Sequence, residues 1–127
     1  MKLKNLFIVH SVVALFNGGS LVLAPKLYLS VYGISLSDQA AIFISQLLGA
    51  GLLTYCVVAW FARDAEASDA RRAIVLGFFI TLTIGFIIAL LGQLSGVMNA
   101  LGWVIVGLYF LLALGYGYFQ FIKPDTT

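Results

Sequence analysis

Charge is scarce in this chain, and it is missing where chemistry in a membrane would need it. Seven Lys and Arg and five Asp and Glu make up 9% of the 127 residues, against about 25% in ordinary soluble domains. None of them falls inside the four long apolar stretches Asn5 to Ala24, Ala40 to Phe61, Ala73 to Leu91 and Val97 to Ile122. The lack of an embedded carboxylate excludes the small four-span exchangers that swap a drug for a proton. Cys56 is the single cysteine, which excludes an intramolecular disulfide, a multi-cysteine disulfide relay and a zinc cluster. It lies in the second stretch and reads as a small packing residue, because apolar surroundings keep a thiol protonated and inert. His10 is the single histidine, so the chain offers at most one axial ligand to a haem or chlorophyll. No nucleotide-binding loop and no Ser-His-Asp set appears, and the chain reads as a non-enzyme. The net charge of +2 comes from cations at the ends of the stretches rather than in a basic stripe, so nucleic acid is not an expected partner.

What fills the chain instead is apolar sequence, 62% of it. A membrane-spanning helix needs about 20 such residues at about 1.5 Å rise each, and each stretch is about that long. The expected fold is all-α: an integral membrane antiparallel four-helix bundle forming one domain over 1–127. Its spans are expected at about 5–24, 38–62, 70–92 and 97–122, with a short interfacial segment at about 26–34. Lys2 and Lys4 before the first apolar run give it the look of a secretory signal. The run is too long for a signal core and Ala24-Pro25 has no A-x-A site before it, so it reads as a retained anchor.

The cations set the expected topology. With four spans, both termini and the loop between the second and third spans share one side. That side collects Lys2, Lys4, Arg63, Arg71, Arg72 and Lys123, and the opposite side holds Lys26 alone. The positive-inside rule makes the first side, with both termini, cytoplasmic, and Trp60 and Trp103 fall at opposite interfaces. Pro25 ends the first span, and Leu27, Val31 and Ile34 then share a helical face beside Tyr28 and Tyr32. An interfacial helix fits that spacing, and the alternation of Leu27, Leu29 and Val31 keeps an extended strand open. Ser35 or Ser37 is placed to cap the second span with Asp38 in its first turn, and Ser68-Asp69 starts the third. Gln93-Leu-Ser-Gly96 forces a tight turn into the fourth.

Small residues recur every fourth position in the third span, at Ala73, Gly77, Thr81, Gly85 and Ala89, with a shorter run at Ala41, Ser45 and Gly49 in the second. Gly107, Gly115 and Gly117 add small positions to the fourth. Such spacing lets helix backbones approach closely, either within one molecule or between subunits. The polar residues inside the spans are the remaining candidates for a site. Asn17 and Gln46 lie at similar depth, Thr81, Thr83 and Tyr109 near the bilayer centre, and His10 level with Thr54 and Tyr55. His10, Ala14 and Asn17 share one face of the first helix, since seven residues make about two turns, and that face is expected to look inward. Two readings compete. In one, His10 carries a proton or ligates a haem or chlorophyll, while Asn17, Gln46, Tyr55 and Tyr109 hold a ligand. In the other, these groups bond across helices, Asn17 with Gln46 above all, each pair contributing about 0.6 and at most about 2 kcal/mol.

Leu23-Ala-Pro25, Tyr32-Gly33, Gly49-Ala-Gly51 and Asn99-Ala-Leu-Gly-Trp103, together with the length and four-span layout, resemble the small bacterial four-span membrane proteins of the DoxX-like kind. The resemblance covers the whole chain. It implies a bacterial inner (plasma) membrane protein and brings no catalytic residues. The leading functional expectation is an accessory or scaffold subunit that packs against other membrane subunits or itself. The alternatives are a binding or transport module for a small apolar ligand, and a pigment- or cofactor-binding subunit through His10.

Overall fold

The computed structural model describes residues 2–122, and Lys123 lies outside them. The described residues form five α-helices and no strand: α1 (Leu3–Leu23), α2 (Pro25–Val31), α3 (Gln39–Ala62), α4 (Asp69–Leu94) and α5 (Gly102–Gly117). A π-helical turn, Tyr118–Ile122, continues α5. Four of these helical segments, α1, α3, α4 and α5 with its continuation, are long and apolar enough to cross a membrane.

The helix ends explain the connections. Pro25 stands at the first position of α2, where its missing N–H costs nothing, and Tyr28 N donates to Ala24 O at 2.9 Å. The segment after Pro25 is therefore helical, not extended. Asp38 itself caps α3, its carboxylate accepting from Ala40 N at 3.2 Å; neither Ser35 nor Ser37 takes the cap. Ser68 caps α4 by accepting from Arg71 N at 3.2 Å. Gly33 and Gly96 both have φ of +79°, and each ends a helix the same way. Ile34 N reaches back to Leu29 O at 3.0 Å and Gly33 N to Ser30 O at 3.0 Å, while Val97 N bonds Gly92 O at 3.0 Å and Gly96 N bonds Gln93 O at 3.2 Å. This paired bonding needs a left-handed residue between, which is why glycine stands there. The chain leaves this second turn through Asn99, so α5 starts at Gly102 rather than at Val97.

Packing divides the molecule into two helix pairs. In the first, α1 meets α3 backbone to backbone at Gly18 and Gly49. A Cβ on Gly18 would lie 2.8 Å from Gly49 O, and one on Gly49 would lie 2.8 Å from Gly18 O. At the other end of α1, Lys4 pairs with Asp64 at 3.0 Å. The Lys4 hydrogen bond, with Arg63 nearby, holds the Asp64 carboxyl below its usual range. The pair is exposed and contributes little to stability. In the second pair, α4 packs on α5 with the Tyr109 ring laid against Gly85. Gly117 takes the Phe79 ring, and Gly115 takes Leu6 from α1. Small residues are thus filled from inside the molecule at Gly49, Gly85, Gly115 and Gly117. Thr81 and Ala89 are half-buried, whereas Gly77 is exposed and nothing lies within 4 Å of a Cβ placed on it. The repeat in α4 is therefore not one continuous contact. Four-residue spacing drifts around a helix with 3.6 residues per turn, which carries Ala73 and Gly77 off the face that Gly85 occupies.

Between the pairs, the half nearer the start of α1 is solid. Phe7, Phe78 and Tyr116 stack with centroids 5.2–6.3 Å apart, backed by Leu3, Leu6, Ala59, Val75 and Phe119. Gly18→Ala and Gly49→Ala should each lower stability by about 1–3 kcal/mol, since the added methyl meets backbone that cannot yield. Gly51→Ala, with open space around it, should not. Equal detergent melting temperatures for all three variants would mean that α1 and α3 do not meet at this crossing.

Candidate functional site

The other half of the molecule is hollow. A cavity of about 180 Å³ lies between the two helix pairs. One wall is α1, with His10, Val13, Ala14, Asn17 and Leu21, and the next is α3, with Ser45, Leu48, Leu52 and Tyr55. Ile105, Leu108, Tyr109 and Leu112 of α5 face them, joined by Leu82 of α4, and Tyr28, Leu29, Tyr32 and Met98 close the end away from His10. The α1 residues recur at three- and four-residue spacing, as do those of α3 and α5. Each long helix therefore gives the cavity one continuous face.

His10 is 2% exposed and stands where the aromatic core meets the cavity. Its ring meets Phe78 edge-on at 4.8 Å between centroids, with Tyr116 at 5.4 Å and Tyr55 at 6.0 Å. Nδ1 lies 2.8 Å from the Tyr116 hydroxyl. Two turns further along α1, Asn17 Nδ2 donates to Val13 O at 2.8 Å, and its Oδ1 accepts from the Tyr28 hydroxyl. Burial pushes the Tyr28 phenol above its ordinary range, with Tyr32 beside it adding to the shift, so that hydroxyl stays protonated and able to donate. Thus both ends of the polar face of α1 are held by tyrosines from other helices.

The roof is α2, and Asn99 fastens it. Asn99 N donates to Tyr32 O at 2.8 Å, and its Nδ2 donates to Val31 O at 2.9 Å. Its Oδ1 accepts from Leu101 N at 3.0 Å and its carbonyl from Gln93 Nε2 at 3.0 Å. One asparagine thereby occupies the last carbonyls of α2 and the first turn before α5. A Cβ on Gly102 would lie 2.6 Å from the Met98 Cβ, which leaves no room for a side chain at that position.

Of the five candidates read from sequence, the structure brings His10, Asn17, Tyr55 and Tyr109 around one cavity. Gln46 is not among them: its side chain is exposed and Nε2 donates to Val22 O at 3.0 Å. The expected Asn17–Gln46 pair does not form. Similar depth did not put the two on facing sides, because Ser45 holds the cavity face and the next residue turns about 100° away. Two residues that hold these candidates in place escaped sequence reading. Tyr116 lies seven residues after Tyr109, the same two-turn spacing that relates His10 to Asn17, and that match was the signal for it. Tyr28 read as a headgroup tyrosine, and its turn toward Asn17 depends on where α2 docks, which local sequence does not state. A cavity of about 150 Å³ in another protein accepts benzene, so about 180 Å³ is the space of one ring with a short substituent.

No protein-family model matches the chain, and no curated protein or solved structure shows significant similarity to it.

The hydrogen bonding makes a direct expectation. A double-mutant cycle of Asn17→Leu with Tyr28→Phe should show coupling of about 0.5–2 kcal/mol. The cycle of Asn17→Leu with Gln46→Leu should be additive within about 0.5 kcal/mol. Coupling of Asn17 to Gln46 but not to Tyr28 in detergent unfolding would refute the arrangement.

Proposed function

We propose that the protein is a membrane-embedded binding module for a small, largely apolar molecule, held in the cavity between the helix pairs. The observation that carries this is the contrast between the two halves. One half is filled by interlocked aromatic rings, while the other keeps a partly open space with most of its wall apolar and the polar groups few, as ligand sites are. Packing to native density leaves few voids larger than a water molecule. The reading is one of binding, without a catalytic step.

The bilayer setting belongs to the same proposal. The four long segments run as an antiparallel bundle with both termini in the cytoplasm of a bacterial-type inner membrane. Supporting this are Lys2, Lys4, Arg63, Arg71 and Arg72 at one end against Lys26 at the other, by the positive-inside rule. The DoxX-like layout agrees with it. In addition, Ala73 and Gly77 are exposed on α4 with nothing packed on Gly77, which favours a second reading in which a partner membrane subunit covers that patch. Copurification of a stoichiometric partner that Gly77→Leu abolishes would support that second reading.

Two measurements test the proposal. The chain has two methionines, Met1 and Met98, and Met98 lines the cavity. With methyl-labelled methionine in lipid nanodiscs, toluene should shift the Met98 signal. Leu108→Trp, which fills the cavity, should abolish that shift, and Leu111→Trp on the exposed face should preserve it. An unmoved Met98 signal at saturating toluene would sink the binding reading. Separately, a cytoplasmic reporter fused after Arg72 should be active and an exported one silent. The opposite pattern would invert the topology.

A further inference from the structure

The contact between Tyr116 and His10 determines which hydrogen sits on which atom at the cavity floor. Tyr116 is 0% exposed, and its one hydrogen-bond partner among the described residues is His10 Nδ1. Were Nδ1 the donor, the phenolic hydrogen would be stranded in apolar surroundings, which folded proteins avoid. The hydroxyl therefore donates and Nδ1 accepts. No Asp or Glu lies in the long apolar stretches, so nothing near His10 offsets a positive imidazolium, and a buried unpaired charge is strongly disfavoured. A neutral imidazole that accepts at Nδ1 carries its hydrogen on Nε2.

Nε2 has no hydrogen-bond partner among the described residues, yet it is not sealed in. The one side-chain nitrogen or oxygen there that is both sealed and unpartnered is Gln93 Oε1. The open space that His10 borders is the cavity, and Tyr55 and Tyr109 line it as well. The floor thus presents a fixed N–H, with no Lys or Arg among the lining residues.

We propose that the cavity selects a neutral single-ring molecule carrying a carbonyl oxygen, which accepts from His10 Nε2–H. Tyr116 acts as the positioning residue that holds the imidazole in this tautomer. The inference rests on the reading of the cavity as a ligand site. A carboxylate is refused because no positive group faces it, and a purely apolar ring leaves the N–H unsatisfied.

The single histidine makes the test direct, since ¹⁵N-histidine gives one pair of ring signals without assignment. In nanodiscs the free protein should show the hydrogen on Nε2. Acetophenone should move both the Nε2 signal and the Met98 methyl. Ethylbenzene, of the same shape, should move Met98 alone and bind about tenfold more weakly after correction for partition into lipid. Benzoate should move neither. A hydrogen on Nδ1, or equal affinities for the two neutral rings, overturns the inference and leaves the cavity reading standing. Failure of both rings to move Met98 overturns the two together. Tyr116→Phe should weaken acetophenone, spare ethylbenzene and mix the two tautomers. Retention of the Nε2–H form and of acetophenone affinity in that variant removes Tyr116 from the role. The wild-type measurements decide the rest even if the variant does not fold.

Discussion

Everything in this bundle depends on the closeness of α1 and α3 at Gly18 and Gly49. With no side chain on either residue, each backbone carbonyl comes within contact distance of the other helix, a geometry suited to lipid, where close packing replaces hydrophobic drive. The crossing commits α3 to α1. What then joins that pair to α4 and α5 is a bridge of long side chains. Phe7, Phe78 and Tyr116 fill the bridge in one half. In the other half the facing residues are chiefly leucine, isoleucine and tyrosine that do not meet across the centre, and the cavity is what remains.

The polar residues fit this division. A side chain that cannot find water must find a partner inside the protein; His10 finds its own on α5, 106 positions away, and Asn17 on the neighbouring α2, 11 positions away. Their roles differ. Asn17 satisfies its carbonyl with the Tyr28 hydroxyl and one amide hydrogen with the turn before it, which ties α1 to the roof. His10 is hydrogen-bonded on one nitrogen, and the other has no hydrogen-bond partner among the described residues. On the proposed reading, a structural hydrogen bond and a recognition group share one imidazole, and the sequence alternatives of packing and ligand binding are not exclusive.

Much of the fold was legible in the sequence because bilayer thickness leaves few choices. The four long helices, the break at Pro25 and the cap at Ser68 follow from span length and local chemistry. The inward face of α1 follows from the two-turn spacing of His10 and Asn17. Angular registry between helices was not legible. Gln46 sits at the right depth and on the wrong side, and nothing in its neighbourhood distinguishes it from Ser45 until α3 is docked. Asn99 carries the same lesson. Its sequence context reads as the start of the last span, whereas its side chain and backbone are spent on the end of α2, a contact that only the tertiary fold reveals.

That contact has a consequence for the order of assembly. Val31 and Asn99 are separated by 68 positions and His10 and Tyr116 by 106, and a chain made from its N-terminus exposes early segments before late ones exist. The Gly18–Gly49 crossing can form once the first half has been made. The roof waits for the turn before α5, and the His10 contact waits for Tyr116. Throughout synthesis His10 and the end of α2 lack their final partners, and the cavity comes into being as one of the last events of biogenesis. A chain cut short before Tyr116 would keep its tightest helix contact and every residue that lines the cavity, yet leave His10 without its hydrogen-bond partner.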